Sequence, residues 1–156
     1  MLNTPILIIL EPDTEAQEQL VKAFECTRFA AEFVFVTSED ALLQVLSDLE
    51  RTTLKSAARR GVVLLSVELA AQTTYKLLKK IKGNPDHAHI PLVVMSHKFN
   101  TSQLEEAYRM GVNSVVHKPL RSSSITEIVA VFDQYWFGHV SLPSFSQPDQ
   151  RESEHQ

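Results

Sequence analysis

The sequence holds a single cysteine, Cys26, among 156 residues, which excludes an internal disulfide and any cysteine-based metal cluster. It also lacks an excess of positive charge. Fifteen Lys and Arg stand against 19 Asp and Glu, a net charge of −4, which argues against nucleic acid as the main partner. No apolar run reaches the roughly 18 residues of a membrane span. Residues 1–5 carry no basic stretch ahead of an apolar one, so no signal peptide is expected and a cytoplasmic location is the default. Internal repeats are absent. What is present, 44% hydrophobic and 22% charged residues, is the balance of one globular domain with a proper core. Cys26 lies in an apolar helical pattern and reads as a small core residue.

Five times an apolar run is followed by a helical pattern. Ile6 to Leu10 is too uniformly apolar for a half-exposed strand and predicts one buried on both faces. Asp13 then caps a helix carrying Ala16, Leu20, Ala23 and Phe24. Phe33 to Val36 is a second strand, and a helix opening near Ser38 carries Leu42, Val45, Leu46 and Leu49. Val62 to Leu65 is a third, buried strand; Leu77, Leu78 and Ile81 mark a helix that stops at Gly83-Asn84-Pro85. Leu92 to Met95 is the fourth strand. Leu104, Ala107 and Tyr108 lie on a helix whose start, Ser102 to Glu105, fits a capping box, and Gly111 closes it. Val112 to Val116 is the fifth strand, and a last helix runs from about Ser122 to Phe137.

Strands and helices that alternate in this way predict an α/β fold, a flavodoxin-like, doubly wound, five-stranded parallel sheet covered by five helices. Residues 1–137 form that domain. Residues 138–156 turn polar and proline-containing and read as a C-terminal extension. In such a sheet the functional crevice lies at the carboxyl ends of the strands. There the chain offers Glu11, Pro12 and Asp13, then Ser66, Val67 and Glu68, then Ser96 and His97, then His117, Lys118 and Pro119.

The run Val116-His117-Lys118-Pro119, preceded by Gly111-Val112-Asn113-Ser114, resembles the response-regulator receiver family of two-component signalling, and with the order of elements the resemblance covers roughly residues 5–137. The ending Tyr135 to Pro143 is similar to stand-alone regulators associated with bacterial phytochromes, which lack a DNA-binding domain and often pair as homodimers. The family's chemistry implies an aspartate after the third strand as phosphoacceptor, two acidic residues after the first that help hold Mg²⁺, and a lysine and a serine or threonine that contact the phosphoryl oxygens.

Placed strand by strand, several of these parts are missing. The acceptor position holds Ser66, which cannot form an acyl phosphate and lacks an adjacent base among the matched positions. The acidic pair is Glu11 and Pro12, and proline has no side-chain oxygen. Of the usual metal ligands only the Glu68 carbonyl remains, so no metal and no cofactor are expected. Val115 stands where the family has its aromatic switch residue. Ser96 and Lys118 survive at the hydroxyl and lysine positions. A buried Lys118 needs a partner, with Glu11 first and Glu68 second. Equally, Lys118 and Pro119 read as inheritance of the fold, since the resemblance implies a cis peptide before that proline.

The function expected is that of an atypical receiver, a protein-interaction module independent of phosphorylation and not an enzyme. The alternative is a phosphorelay receiver with a non-standard acceptor, although Glu68 is a poor one and Asp13 is committed to capping. A hydrolase using Glu11 and Glu68 has no nucleophile. His87 and His89 have metal-ligand spacing but read as solvated loop residues. Arg51, Lys55 and Arg59 read as a solvated helix face. On the last helix Ile125, Val129, Phe132 and Trp136 form the sheet-facing stripe, and Ile128, Val131 and Tyr135 a second one. The second stripe calls for a homodimer, with residues 137–145, Phe137 included, near or across it, or for a tail that covers it within the subunit. A sensor histidine kinase is the other expected partner.

Overall fold

The computed structural model describes residues 4–28, 31–51, 59–120 and 122–146, with residues 122 and 123 described by backbone alone. Among these, β1 (Ile6–Leu10), β2 (Glu32–Val36), β3 (Gly61–Ser66), β4 (Leu92–Ser96) and β5 (Ser114–His117) form one parallel sheet in the order β2-β1-β3-β4-β5. The helices are α1 (Thr14–Glu25), α2 (Glu39–Arg51), α3 (Gln72–Lys82), α4 (Thr101–Arg109) and α5 (Ser122–Gly138). The fold is the doubly wound α/β sheet that the alternation predicts.

Every residue of β1, β3 and β4 is buried, because helices cover both faces of the sheet. Side chains alternate between two cores. Ile6, Ile8, Leu10, Val63, Leu65, Leu92 and Val94 join Leu42, Leu46, Leu77, Leu78, Ile81 and Ala107 from α2, α3 and α4. Leu7, Ile9, Val62, Leu64, Val93 and Met95 join Leu20, Ala23 and Phe24 of α1 and Ile125, Val129, Phe132 and Trp136 of α5.

Helix ends follow local chemistry. Asp13 caps α1, its carboxylate accepting from the Glu15 amide at 3.0 Å. Ser38 Oγ accepts from the Ala41 amide at 3.1 Å at the start of α2. The capping box of α4 is Asn100 with Gln103, not Ser102 with Glu105: the Gln103 amide donates to Asn100 Oδ1 at 2.8 Å and the Asn100 amide to Gln103 Oε1 at 3.0 Å. Asn100 is still extended, so the helix has already begun at Thr101 and Ser102 is inside it. Gly111 reverses the chain with φ of +101°, a conformation that favours glycine.

Other expectations change with the packing. Cys26 is exposed, because it terminates α1 just after Ala23 and Phe24 have taken the core face. His87 is buried, with its ring 3.3 Å from the Glu50 carboxylate, whereas His89 is exposed and donates to the Ser144 carbonyl at 2.6 Å. The two rings therefore serve different neighbours, and no group of three potential metal ligands occurs among the described residues. Arg59 lies outside a helix, paired with Glu32 at 2.6 Å and with the Thr4 carbonyl at 3.0 Å; Lys55 lies outside the described residues.

The chain after α5 runs to the amino-terminal edge of the sheet. The Gly61 amide donates to the Pro143 carbonyl at 3.3 Å, the Phe145 amide to the Arg59 carbonyl at 2.9 Å, and the Arg60 guanidinium to the Leu142 carbonyl at 2.9 Å. Phe145 is 1% exposed and joins the core that holds Ile6 and Val63. A Cβ on Gly61 would lie 2.0 Å from the Ile6 carbonyl oxygen and 2.8 Å from the Phe145 ring, so this close approach requires glycine. Among the described residues, which end at Ser146, the tail does not cover the second stripe of α5: Val131 is 68% and Tyr135 56% exposed. Phe137, expected with that stripe, instead packs half-buried on the core, its ring 6.4 Å from that of Phe132.

Candidate functional site

Register brings the candidate residues together at the carboxyl edge of the sheet. Leu10 is paired with Leu65, so Glu11 and Ser66 follow side by side, and Ser66 is paired with Met95 on the other flank. Alternation then sorts the side chains. Glu11, Ser66 and Lys118 continue the rows of Ile9, Leu64 and Val116, on the face covered by α1 and α5. Ser96 continues the row of Leu92 and Val94, on the opposite face. The crevice is therefore divided into two hydrogen-bonded groups.

In the first, Lys118 Nζ bonds Glu11 Oε1 in a short ion pair and donates to Ser66 Oγ at 2.7 Å, while Ser66 Oγ donates to Glu11 Oε1 at 2.9 Å. Glu11 is 2% and the Lys118 side chain 11% exposed. Each charge thus finds its countercharge and a hydroxyl bridge, which is what a buried pair requires. Contrary to the sequence reading, Ser66 does have a carboxylate beside it. Its oxygen is nonetheless occupied as acceptor by the lysine, and it is buried.

In the second, the Glu68 carboxylate accepts from Ser96 Oγ at 3.1 Å, from the His97 amide at 3.3 Å and from His97 Nδ1 at 2.6 Å. An ionised carboxylate only accepts, so Nδ1 carries the ring proton. Ser96 Oγ accepts in turn from the Leu69 amide at 3.1 Å. Burial pushes the Glu68 carboxyl upward, but the hydrogen bonds from His97 and Ser96 and the His97 charge outweigh it, leaving the group below its ordinary 4.5. A folded-state value below the unfolded one gives stability that is present at neutral pH and lost as pH falls through the lowered value. A carboxyl-detected NMR titration should place the Glu68 midpoint below 4.5; a midpoint above it would mean that burial dominates.

The remaining positions divide as follows. Pro12 is exposed and offers no side-chain oxygen. Val115 is half-buried against the core under α2 to α4, and its outward amide donates to the Tyr108 hydroxyl at 3.1 Å. Tyr108, expected only as a helix position, thus covers an amide of the edge strand. The peptide before Pro119 is trans, not cis. His97, noted in the sequence only as a crevice residue, becomes a principal partner of Glu68. Its spacing from that residue carries no local signal.

The fold implies Mg²⁺, but the donor set does not fit it. The Glu11 carboxylate is held by Lys118 and Ser66, and Pro12 has nothing to give. The Glu68 carbonyl accepts from Thr74 Oγ1 at 2.6 Å and from the Ala71 amide at 3.0 Å. A hard cation needs several oxygens converging at one point, and these are turned to other donors. Glu11 and Glu68 sit in the two different groups, each with its own hydrogen-bond partners.

No family model matches the chain. It is 25% identical over 142 residues to Response regulator Rcp1 of Synechocystis sp., covering 91% of this chain and 96% of that protein. It is 30% identical over 135 residues to the probable methanogenesis regulatory protein FilR2 of Methanothrix harundinacea, covering 86% and 85%. The fold matches the crystal structure of response regulator RPA3017 in red light signaling of R. palustris with a TM-score of 0.74, at 20% identity over 89% of this chain and 98% of that one.

Proposed function

Because this chain belongs to the response-regulator receiver family, we propose that it acts in two-component signalling as a protein-interaction module that needs no phosphoryl group. One observation carries this reading: Lys118, the residue that would meet an incoming phosphoryl oxygen, is held by Glu11 and Ser66 inside the chain. With Ser66 at the acceptor position and Pro12 in the acidic pair, the site has no acyl acceptor and no metal cradle. No helix among the described residues is long and apolar enough to cross a membrane.

The binding surface is the second stripe of α5. Val131 and Tyr135 are large, apolar and exposed beside half-buried Ile128, and a second copy of the chain related by a two-fold axis is the occupant that fits a self-complementary apolar stripe. A sensor histidine kinase is the signalling partner, and similarity to a regulator of red light signaling supports one driven by light.

One set of measurements tests both parts. Acetyl phosphate with Mg²⁺ should add no phosphoryl group by intact mass, and sedimentation should give a dimer, unchanged by beryllium fluoride, that Val131→Glu weakens at least about tenfold. A mass gain would establish a phosphorelay receiver with a non-standard acceptor. A monomeric wild type would remove the dimer.

A further inference from the structure

The two hydrogen-bonded groups at the carboxyl edge share a property that reaches beyond the loss of the acceptor. Each donor that an external anion would use is already taken by a carboxylate of this chain, Lys118 by Glu11 and the Ser96 hydroxyl by Glu68. The second case is the less expected. Glu68 lies in the turn between β3 and α3, and Ser96 and His97 lie at the end of β4, 28 and 29 residues away.

Three donors converge on the Glu68 carboxylate, from the Ser96 hydroxyl, the His97 amide and the His97 ring. Hydrogen bonds to an ionised group are about twice as strong as neutral ones. The connection is also reciprocal, since the amide of Leu69, itself fully buried, donates back to Ser96 Oγ. The turn that follows, from His97 to the cap Asn100, thus leaves the sheet with its first residue tied by backbone and ring to the neighbouring turn.

We propose that Glu68 is a resident anion that latches the turn of residues 97–100 to the turn between β3 and α3, so that the β4–α4 connection takes one conformation without an added phosphoryl group. The proposal rests on the phosphorylation-independent reading above and names how that state is held.

The test is hydrogen exchange, read by mass spectrometry across residues 97–100, in the full chain and in Glu68→Ala and Glu68→Gln, each with and without beryllium fluoride and Mg²⁺. The Glu68 side chain is 43% exposed, so its loss leaves the core intact. Glu68→Ala should exchange about tenfold faster in this segment while the strands keep their protection. Glu68→Gln, which keeps an acceptor but not the charge, should fall between. Unchanged exchange in Glu68→Ala overturns the latch, as does an equal loss of protection throughout the sheet, which would mark the contact as general stability. Slower exchange of the wild type with beryllium fluoride would instead overturn the phosphorylation-independent reading, leaving the comparison of variants to judge the latch by itself.

Discussion

Lys118→Met should lower stability by about 3–5 kcal/mol in urea denaturation, since it leaves the 2% exposed Glu11 carboxylate without its countercharge. Methionine matches the length of the lysine stem, so the loss reports the charge and not a cavity. The Ser66 hydroxyl still donates to Glu11, but one neutral hydrogen bond replaces little of an ion pair in this setting. The companion double variant, Lys118→Met with Glu11→Leu, should recover most of the loss, because a matched apolar pair carries no desolvation cost. Non-additivity between the two sites is therefore the signature. A single variant within about 1 kcal/mol of wild type would mean that water reaches Glu11 and that the pair does not hold the site.

Phe145→Ala should cost a similar amount, about 3–5 kcal/mol, or roughly 10–15 °C in Tm. The ring is 1% exposed and rests against Gly61, at the start of a central strand. Removing it opens a cavity that the backbone cannot close, because the Phe145 amide and the Ser144 carbonyl are tied to Arg59 and His89. Thermal unfolding followed by far-UV circular dichroism reads the effect directly. If the variant melts with the wild type, the tail is a loose covering and the core under β1 and β3 is complete without it.

The two results bear on different halves of the functional reading. Lys118 decides whether the crevice is closed to a phosphoryl group. Phe145 decides whether the tail belongs to its own subunit, and hence whether the α5 stripe is free to meet a second copy.

Local patterning was enough for the fold. A run such as Ile6 to Leu10 admits few environments other than the centre of a covered sheet, and every one of its residues is buried. Helix limits at Asp13 and Gly83 follow from chemistry within a few residues, whereas the box read at Ser102 to Glu105 put the start of α4 too late, since the backbone begins the helix after Asn100. That Glu11, Ser66 and Lys118 stand at the strand ends was equally legible, because each follows directly on a strand or is its last residue.

Partner choice was decided only by the tertiary structure. Glu11 with Lys118 could be anticipated from charge alone, whereas Glu68 with Ser96 and His97, the buried His87, the exposed Cys26 and the seat of Phe145 could not. The physical reason is range. Periods of two and 3.6 residues state which way a side chain faces, and they are written in neighbouring residues. Which groups meet across 28 or 29 residues of chain, as Glu68 does with Ser96 and His97, depends on strand order and register, and those arise only when the strands pack.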